Sequence, residues 1–288
     1  SSDCYNFGSG KVNGSYFPVV SYIVNHMNSL PEKMNGRPAR IHCDLGSVSN
    51  VLGVVSGKVD IGIAQSAVLY EAANGIGEWA PYGKLRTLRS ICTLFSKSLT
   101  IVARESSEFR SSSDIEGKRI NIGEPGTGTN ANARLELSNE DALIRFREGK
   151  LDAIITNLSH PNSFIQEVLA SGGPARFVDI SAIKDFVQLY PYYVEDTLPA
   201  KCYPSAADNR DVKVIATPTI LFTHEGMSVE AVGQLMTEII VNLADIKRDN
   251  SELASLQAES LLADSVLPAH EGALDSFYRH GLVRIKPT

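Results

Sequence analysis

A glycine- and threonine-rich loop at residues 123–129 follows a strand-like segment and precedes the start of a helix. Such a loop leaves several backbone N–H groups unpaired at the positive end of the helix dipole, which suits a carboxylate or a phosphate. Its candidate ligand-binding residues are Gly126, Thr127, Gly128 and Thr129. A plain tight turn is the alternative interpretation, because glycine and threonine are also common turn and cap residues.

The same loop matches a relaxed dinucleotide-binding pattern, G-x-G-x-x-A, from Gly126 to Ala131. The match is weak, because the loop is not in an N-terminal unit and no acidic residue ends a strand about 20 residues later. No G-K-[ST] follows, which excludes a P-loop. A nucleotide-using enzyme therefore remains the alternative from a different functional class.

Two other helix starts that follow strand-like segments also carry polar residues. Ser15 and Tyr16 stand at the first start, and Ser47 and Ser49 stand at the second. Taken alone, each start is explained by a plain N-cap, a position that favours serine. Three such starts at corresponding places predict one binding site, because open α/β sheets bind ligands outside the carboxyl ends of their strands.

A helix–glycine–strand unit occurs twice in the chain. Residues 54–63 and residues 146–155 share the order glycine, lysine, aliphatic residue, aspartate and apolar strand. The first strand ends at Gln65 and the second at Asn157, so the repeat places both amides in the candidate site. Two copies of one unit, far apart in the chain, predict two similar lobes.

Titratable side chains are not gathered at these strand ends. Asp60 and Asp152, the repeated charges, precede their strands and are predicted to be structural. The sequence has no G-x-S-x-G, and His270-Glu271 lacks the second histidine of a zinc-protease helix. Hydroxyls, amides and backbone donors suit holding a polar ligand better than transforming it. The sequence therefore predicts a binding protein, not an enzyme, with no metal and no cofactor.

The elements that position these loops alternate between strand and helix, which predicts an α/β fold with sheets flanked by helices. Apolar residues at helical spacing, Val48, Val51, Leu52 and Val55, predict the buried stripe of the helix that starts near Ser47. One long helix is predicted from residue 228 to about residue 248.

Apolar runs that connect the lobes are predicted as separate strands, at 85–95 with 99–104 and at 212–215 with 219–223. The predicted domains are residues 1–103 with 214–288 as one discontinuous lobe, and residues 104–213 as the other.

Bulk composition narrows the class of protein. The chain has 288 residues, 43% of them hydrophobic, and a formal net charge of -6. That charge, without a Lys/Arg run, argues against a nucleic-acid partner. The four cysteines form no C-x-x-C; Cys43 and Cys92 lie in apolar runs and are predicted to be buried free thiols, with a disulfide that includes Cys4 as the alternative.

Motifs along nearly the whole chain resemble the TAXI family, the solute receptors of tripartite ATP-independent periplasmic (TRAP) transporters. The stretches that carry the resemblance are Asn13-Gly14-Ser15-Tyr16-Phe17-Pro18, Gly46-Ser47-Val48-Ser49-Asn50, Gly57-Lys58-Val59-Asp60-Ile61 with Ala64-Gln65-Ser66, Gly117-Lys118-Arg119, Thr197-Leu198-Pro199-Ala200 with Tyr203-Pro204, and His270-Glu271-Gly272-Ala273. Two departures are Ala67, where the family usually has an aspartate, and Thr127, where serine is commoner.

The resemblance implies a periplasmic, monomeric receptor with a two-lobed periplasmic-binding-protein-like fold (type II), in which crossing strands act as the hinge. It implies a small carboxylate or amino acid, such as glutamate or glutamine, bound in an interlobe cleft and delivered to TRAP membrane subunits. The same fold serving an ATP-driven (ABC) importer or a sensor is the alternative. The ligand-binding residues that the resemblance implies are Ser15, Tyr16, Ser47, Ser49, Gln65, Gly126, Thr127, Gly128 and Thr129. The repeat adds Asn157, and the aromatic cluster at residues 190–193 adds Tyr192.

The resemblance also implies a role for each group. The amides of residues 126–129 would take the carboxylate, and Tyr16 or Tyr192 would pack on the carbon chain. Gln65 and Asn157 would contact the second polar end of the ligand.

Overall fold

The computed structural model describes residues 3–12, 14–32, 34–43, 46–121, 134–135, 137–262 and 265–284. The strands are β1 (Tyr5–Gly8), β2 (Ala39–His42), β3 (Gly62–Gln65), β4 (Leu88–Arg104), β5 (Ile120–Asn121), β6 (Arg134–Leu135), β7 (Ala153–Leu158), β8 (Ala175–Phe177), β9 (Val194–Leu198) and β10 (Val212–His224). The α-helices are α1 (Tyr16–Ser29), α2 (Ser47–Val55), α3 (Ser66–Asn74), α4 (Asn139–Arg147), α5 (Ser163–Ala170), α6 (Ile183–Leu189), α7 (Val229–Val241), α8 (Leu243–Asp249) and α9 (Glu271–Arg279). No helix in the described ranges has the length and apolar character needed to span a membrane.

The predicted mixed α/β class is confirmed, and the chain divides into two compact units. Unit 1 comprises Ser1–Phe95 and Pro218–Thr288, and unit 2 comprises Ser96–Thr217. β4 and β10 each pass from one unit to the other as a single strand. The prediction of separate runs was wrong at both places. In β4, for example, Ser98 already pairs with Leu158, and this pairing keeps the polar segment extended.

Unit 1 contains a parallel layer in which β1 is central. β1 pairs with β2, with Phe7 opposite Ile41, and Phe7 also bridges Ile61 just before β3. β10 then runs antiparallel to β3, with Thr219 opposite Gln65. The carboxyl ends of β1, β2 and β3 share one edge, so α1, α2 and α3 all begin there.

Unit 2 repeats this arrangement, which confirms the repeat inferred from the sequence. β5 pairs in parallel with β6 and with β7, and β7 pairs antiparallel with β4. The order β6-β5-β7-β4 thus corresponds to β2-β1-β3-β10 of unit 1. Each unit has its own apolar core, which includes Phe7, Met27 and Phe277 in unit 1 and Phe146 and Phe177 in unit 2.

The repeated helix ends are built alike. Gly57 and Gly149 have φ of 74° and 71°, the left-handed backbone that glycine adopts without steric cost. The lysine after each glycine then donates its backbone N–H to the carbonyl five residues earlier in the chain, at 2.9 Å in both units. This turn directs the chain from the helix into the following strand.

The repeated aspartates fasten this turn to the neighbouring strand. Asp60 Oδ2 accepts the backbone N–H of Asn6 at 2.7 Å, and Asp152 Oδ2 accepts that of Arg119 at 2.8 Å. The Arg119 side chain also donates to both Asp152 oxygens, which holds the Asp152 pKa below its usual value. The prediction that Asp60 and Asp152 are structural is therefore confirmed.

The predicted buried stripe of α2 is right for Val51 and for Leu52, which packs against the core, and wrong for Val48 and Val55. Val48 and Val55 are 43% and 44% exposed, whereas Val51 and Val54 are buried. The reason is Gly53, where a Cβ would lie only 2.7 Å from Val59 Cγ2. The face that carries this glycine approaches the following segment closely, and the helix turns Val48 and Val55 outward.

Two other sequence predictions need correction. The long helix predicted from residue 228 is two helices, α7 and α8, separated at Asn242, whose side-chain amide donates to the Glu238 carbonyl oxygen at 3.0 Å. All four cysteines are free, which agrees with the free-thiol prediction, but Cys43 is exposed because it lies one residue beyond the end of β2.

Candidate ligand-binding site

Three helix starts at the strand-end edge of unit 1 have no side-chain cap in the part of the chain that the structure describes. The N-cap residues are Ser15 for α1, Gly46 for α2 and Gln65 for α3. By contrast, a side chain caps each of four other helices: Ser138 at α4, Asn162 at α5, Ser228 at α7 and His270 at α9. The uncapped starts offer first-turn N–H groups and a positive partial charge at one edge.

Ser47 was predicted as the N-cap of α2, but it is the first residue of the helix and Gly46 precedes it with φ of 110°. The Ser47 hydroxyl is used instead for two tertiary hydrogen bonds. It accepts the backbone N–H of Gln65 at 3.0 Å and bonds the Tyr16 hydroxyl at 3.1 Å. The structure therefore brings together three residues that the sequence proposed for the site.

Tyr16 is buried, with its ring centroid 6.2 Å from that of Phe95. Burial raises the pKa of its phenol, an effect partly opposed by the hydrogen bond to Ser47. Thr219 lies opposite Gln65 in the β3–β10 pairing and so belongs to the same cluster. The Tyr16 ring thus packs in the core, and its hydroxyl holds Ser47 in place.

Asn50 joins the strand ends beneath this cluster. Its fully buried amide donates to the carbonyl oxygens of Ser9 and Ile63 at 2.9 and 2.8 Å. These two bonds link the loop after β1 to β3. Asn50 follows Ser49 in the chain, and nothing in the local sequence distinguishes it from an ordinary helix residue.

The remaining predicted residues of unit 1 lie at the same edge. Ser15 and Ser49 occupy the starts of α1 and α2, and both are half-buried. Ala67 lies in the first turn of α3 and is also half-buried.

In unit 2, Asn157 lies near the end of β7, at the position that corresponds to Gln65. Its Oδ1 is buried and has no hydrogen-bond partner among the described residues. Ser159 Oγ and His160 Nε2, just beyond the strand, are also buried and also have no hydrogen-bond partner among the described residues.

His160 is hydrogen-bonded to Tyr203, and neither residue was predicted from the sequence as a site residue. Its Nδ1 lies 2.6 Å from the hydroxyl of Tyr203, which also accepts the backbone N–H of Asn162 at 2.8 Å. Burial lowers the pKa of His160 to about 4 and raises that of Tyr203. Tyr203 is part of a Tyr-Pro pair, a pattern that does not reveal such a bond.

Tyr192 is half-buried and packs against Tyr190 and Tyr193, with ring centroids 6.0 and 4.8 Å apart. Gly126, Thr127, Gly128 and Thr129 lie outside the described residues.

Residues 7–280 match the sequence model of the NMT1-like family. The chain belongs to the NMT1-like family. Among solved structures, it is similar to the periplasmic aliphatic sulphonate binding protein SsuA from Escherichia coli, at 12% identity and a TM-score of 0.49, over 99% of this chain and 95% of that one. It is also similar to MatC from Rhodopseudomonas palustris with bound malate, at 14% identity and a TM-score of 0.48, over 87% and 88%.

A third similar structure is ArtJ, the arginine-, lysine-, histidine-binding protein from Geobacillus stearothermophilus. The identity is 12% and the TM-score 0.41, over 88% of this NMT1-like chain and 96% of that one. Matches of this depth assign no ligand to the NMT1-like protein.

The described polar groups at the strand ends of this NMT1-like protein suit neutral hydrogen bonding. In unit 1 they are hydroxyls, amides and backbone N–H groups, and in unit 2 they include a histidine whose lowered pKa keeps it uncharged near neutral pH. Among the described residues, no group of three or more His, Cys, Asp or Glu side chains is placed to hold a metal ion.

Proposed function

We propose that this protein is an extracytoplasmic solute receptor that binds a small carboxylate or amino acid, of glutamate or glutamine type, and delivers it to a TRAP-type permease. The observation that carries the proposal is the edge of unit 1 where three uncapped helix starts meet. Backbone N–H groups at helix starts bind anionic oxygens through hydrogen bonds and the helix dipole. The cluster of Ser47 and Gln65 fixes two of these starts relative to each other.

The second element of the proposal is the repeated strand end. Gln65 and Asn157 hold equivalent positions in the two units, and an amide can both donate to and accept from a ligand. We assign the carboxylate of the ligand to backbone donors and its second polar end to these amides. Residues 126–129 are included because of the resemblance to TAXI receptors, and Tyr192 because of its position in the aromatic cluster at residues 190–193.

Ligand binding is tested by thermal unfolding and calorimetry against a panel of amino acids, dicarboxylates and 2-oxo acids. A cognate ligand should raise the melting temperature and bind with micromolar or better affinity, about 8 kcal/mol or more. If no acid raises the melting temperature at millimolar concentration, the proposed ligand class is wrong.

A pair of variants separates binding from stability. Ser47→Ala removes both bonds of the Ser47 hydroxyl and should weaken ligand binding, because the starts of α2 and α3 lose their link. Ser228→Ala removes the cap of α7, where the Ser228 hydroxyl accepts the backbone N–H of Ala231. It should lower the melting temperature about as much as Ser47→Ala does, without weakening ligand binding. Equal ligand affinity in both variants would contradict the placement of the site.

An ATP-driven importer or a sensor as partner is supported equally, because the binding groups do not identify the transporter. Uptake of the identified ligand into proteoliposomes separates the partners. TRAP delivery requires an ion gradient and no ATP, whereas an ABC importer requires ATP. Periplasmic location and a monomeric state belong to the same proposal, and light scattering on the purified chain tests the second.

A nucleotide-using enzyme is the competing proposal from another class. It predicts binding of NAD(P)H or ATP through Gly126 and Gly128, which a fluorescence titration measures directly.

A further inference from the structure

Within four residues at the end of β7, three polar atoms have no hydrogen-bond partner in the part of the chain that the structure describes. They are Asn157 Oδ1, Ser159 Oγ and His160 Nε2, and all three are buried. Buried polar atoms in native proteins almost always have a partner, so each exception needs an explanation such as a bound group. Here the exceptions lie at the strand end that corresponds to Gln65 in unit 1, where ligand binding is proposed.

Hydrogen bonding fixes the tautomer of His160. The Tyr203 oxygen accepts the backbone N–H of Asn162, and its own proton needs an acceptor. The His160 Nδ1, 2.6 Å away, provides that acceptor. A neutral imidazole that accepts at Nδ1 carries its proton on Nε2. The unpartnered Nε2 is therefore an N–H donor.

The Nε2–H group is buried, so its hydrating water was removed when the protein folded. Pairing it with a ligand oxygen requires no further desolvation of the protein, so the bond contributes more to affinity than one made by an exposed group. Packing keeps the donor oriented, because the His160 ring meets Tyr203 edge-on at 5.5 Å and Tyr203 in turn packs on Phe177 at 5.3 Å. The atom has no contact with solvent in this structure, so a ligand reaches it when the side chains that cover it move.

We propose that His160 contacts the ligand: Tyr203 holds its ring in the Nε2–H tautomer, and Nε2–H donates to an acceptor oxygen of the bound acid. The inference rests on the proposed receptor function and adds a specificity-determining residue to it. A neutral donor favours a ligand with an oxygen at this point and disfavours one that presents an ammonium group there. Ser159 and Asn157, on the same strand end, complete the polar surroundings of that oxygen.

Two substitutions test separately the two hydrogen bonds of the His160 ring, the one that Nδ1 accepts from Tyr203 and the one that Nε2–H donates to the ligand. His160→Asn keeps an acceptor near the position of Nδ1 for Tyr203 but has no group at the position of Nε2. His160→Gln places an amide donor near the position of Nε2 but loses the acceptor for Tyr203. Calorimetry with the acid that stabilises the wild-type protein most, together with melting temperatures of the unliganded proteins, provides the two readouts.

We expect His160→Asn to weaken binding about 10- to 100-fold with a nearly unchanged melting temperature. His160→Gln should keep the affinity within about threefold and lower the melting temperature, since Tyr203 then lacks its acceptor. Wild-type affinity in His160→Asn would overturn the contact while leaving the receptor function intact. Absence of binding in the wild-type protein would instead overturn the receptor function and this contact together.

Nitrogen-15 NMR of histidine-labelled protein tests the tautomer without any ligand. A proton on Nε2 of His160 is expected near neutral pH, and a proton on Nδ1 would overturn the proposal even if an acid binds.

Discussion

Acidification should destabilise unit 2 through His160. Burial lowers the pKa of this side chain from 6.5 to about 4 in the folded protein. The unfolded chain therefore takes up a proton at higher pH than the folded chain does. Because the unfolded chain binds this proton first, the contribution of His160 to the free energy of unfolding is complete above pH 6.5 and is lost as the pH falls from 6.5 towards 4.

The size of the effect follows from the difference between the two pKa values. Each unit of difference corresponds to about 1.4 kcal/mol, so the full effect is about 3 kcal/mol. At pH 4.5 the folded site is still mostly neutral, and about 2.5 kcal/mol of the stabilisation should already be lost relative to pH 7.5.

Urea unfolding of the full chain at pH 7.5 and 4.5 measures this loss, and His160→Asn is the matched control. Carboxylates contribute the same pH dependence to both proteins, so the difference between them isolates His160. The loss of stability on acidification should be about 2.5 kcal/mol smaller in the variant. The same loss in both proteins would refute the burial argument, because His160 would then titrate alike in the folded and unfolded states.

Three further changes test the construction of the repeated units, each by urea unfolding against the wild type. Gly53→Ala should destabilise unit 1 by about 1–3 kcal/mol, because its Cβ would lie 2.7 Å from a Val59 methyl; an unchanged midpoint would contradict this close packing. Gly149→Ala should cost about 1–2 kcal/mol through the left-handed backbone alone, since no atom of the described residues lies within 4 Å of its Cβ position, and a stabilising effect would refute that reasoning. Asp152→Asn should cost about 1 kcal/mol at neutral pH by weakening its bonds from Arg119, and the cost should shrink as the pH falls below 3.8; a cost that persists at low pH would indicate a packing effect instead.

The residue types along the chain were sufficient to predict the repeated helix–glycine–strand unit. A glycine that must adopt positive φ, an aspartate three residues later and an apolar run define the turn and the strand, and their order alone revealed the second copy. Gln65 and Asn157 were found in this way, because a repeat conserves position along the chain. Ser47 was found for its polarity, although its hydroxyl has a different use from the predicted cap.

Tertiary structure decided what depends on residues distant in the chain. The apolar stripe Val48–Val55 fits a buried face by periodicity, but the contact between Gly53 and Val59 rotates the buried face towards Val51 and Val54 and leaves Val48 and Val55 exposed, because only a glycine allows that approach. Asn50 joins two strand ends and Tyr203 orients His160 across 43 residues of chain, and neither bond follows a spacing that a sequence displays. The sequence thus determined the local units and the type of chemistry, while packing determined which helix face is buried and which donors are left for a ligand.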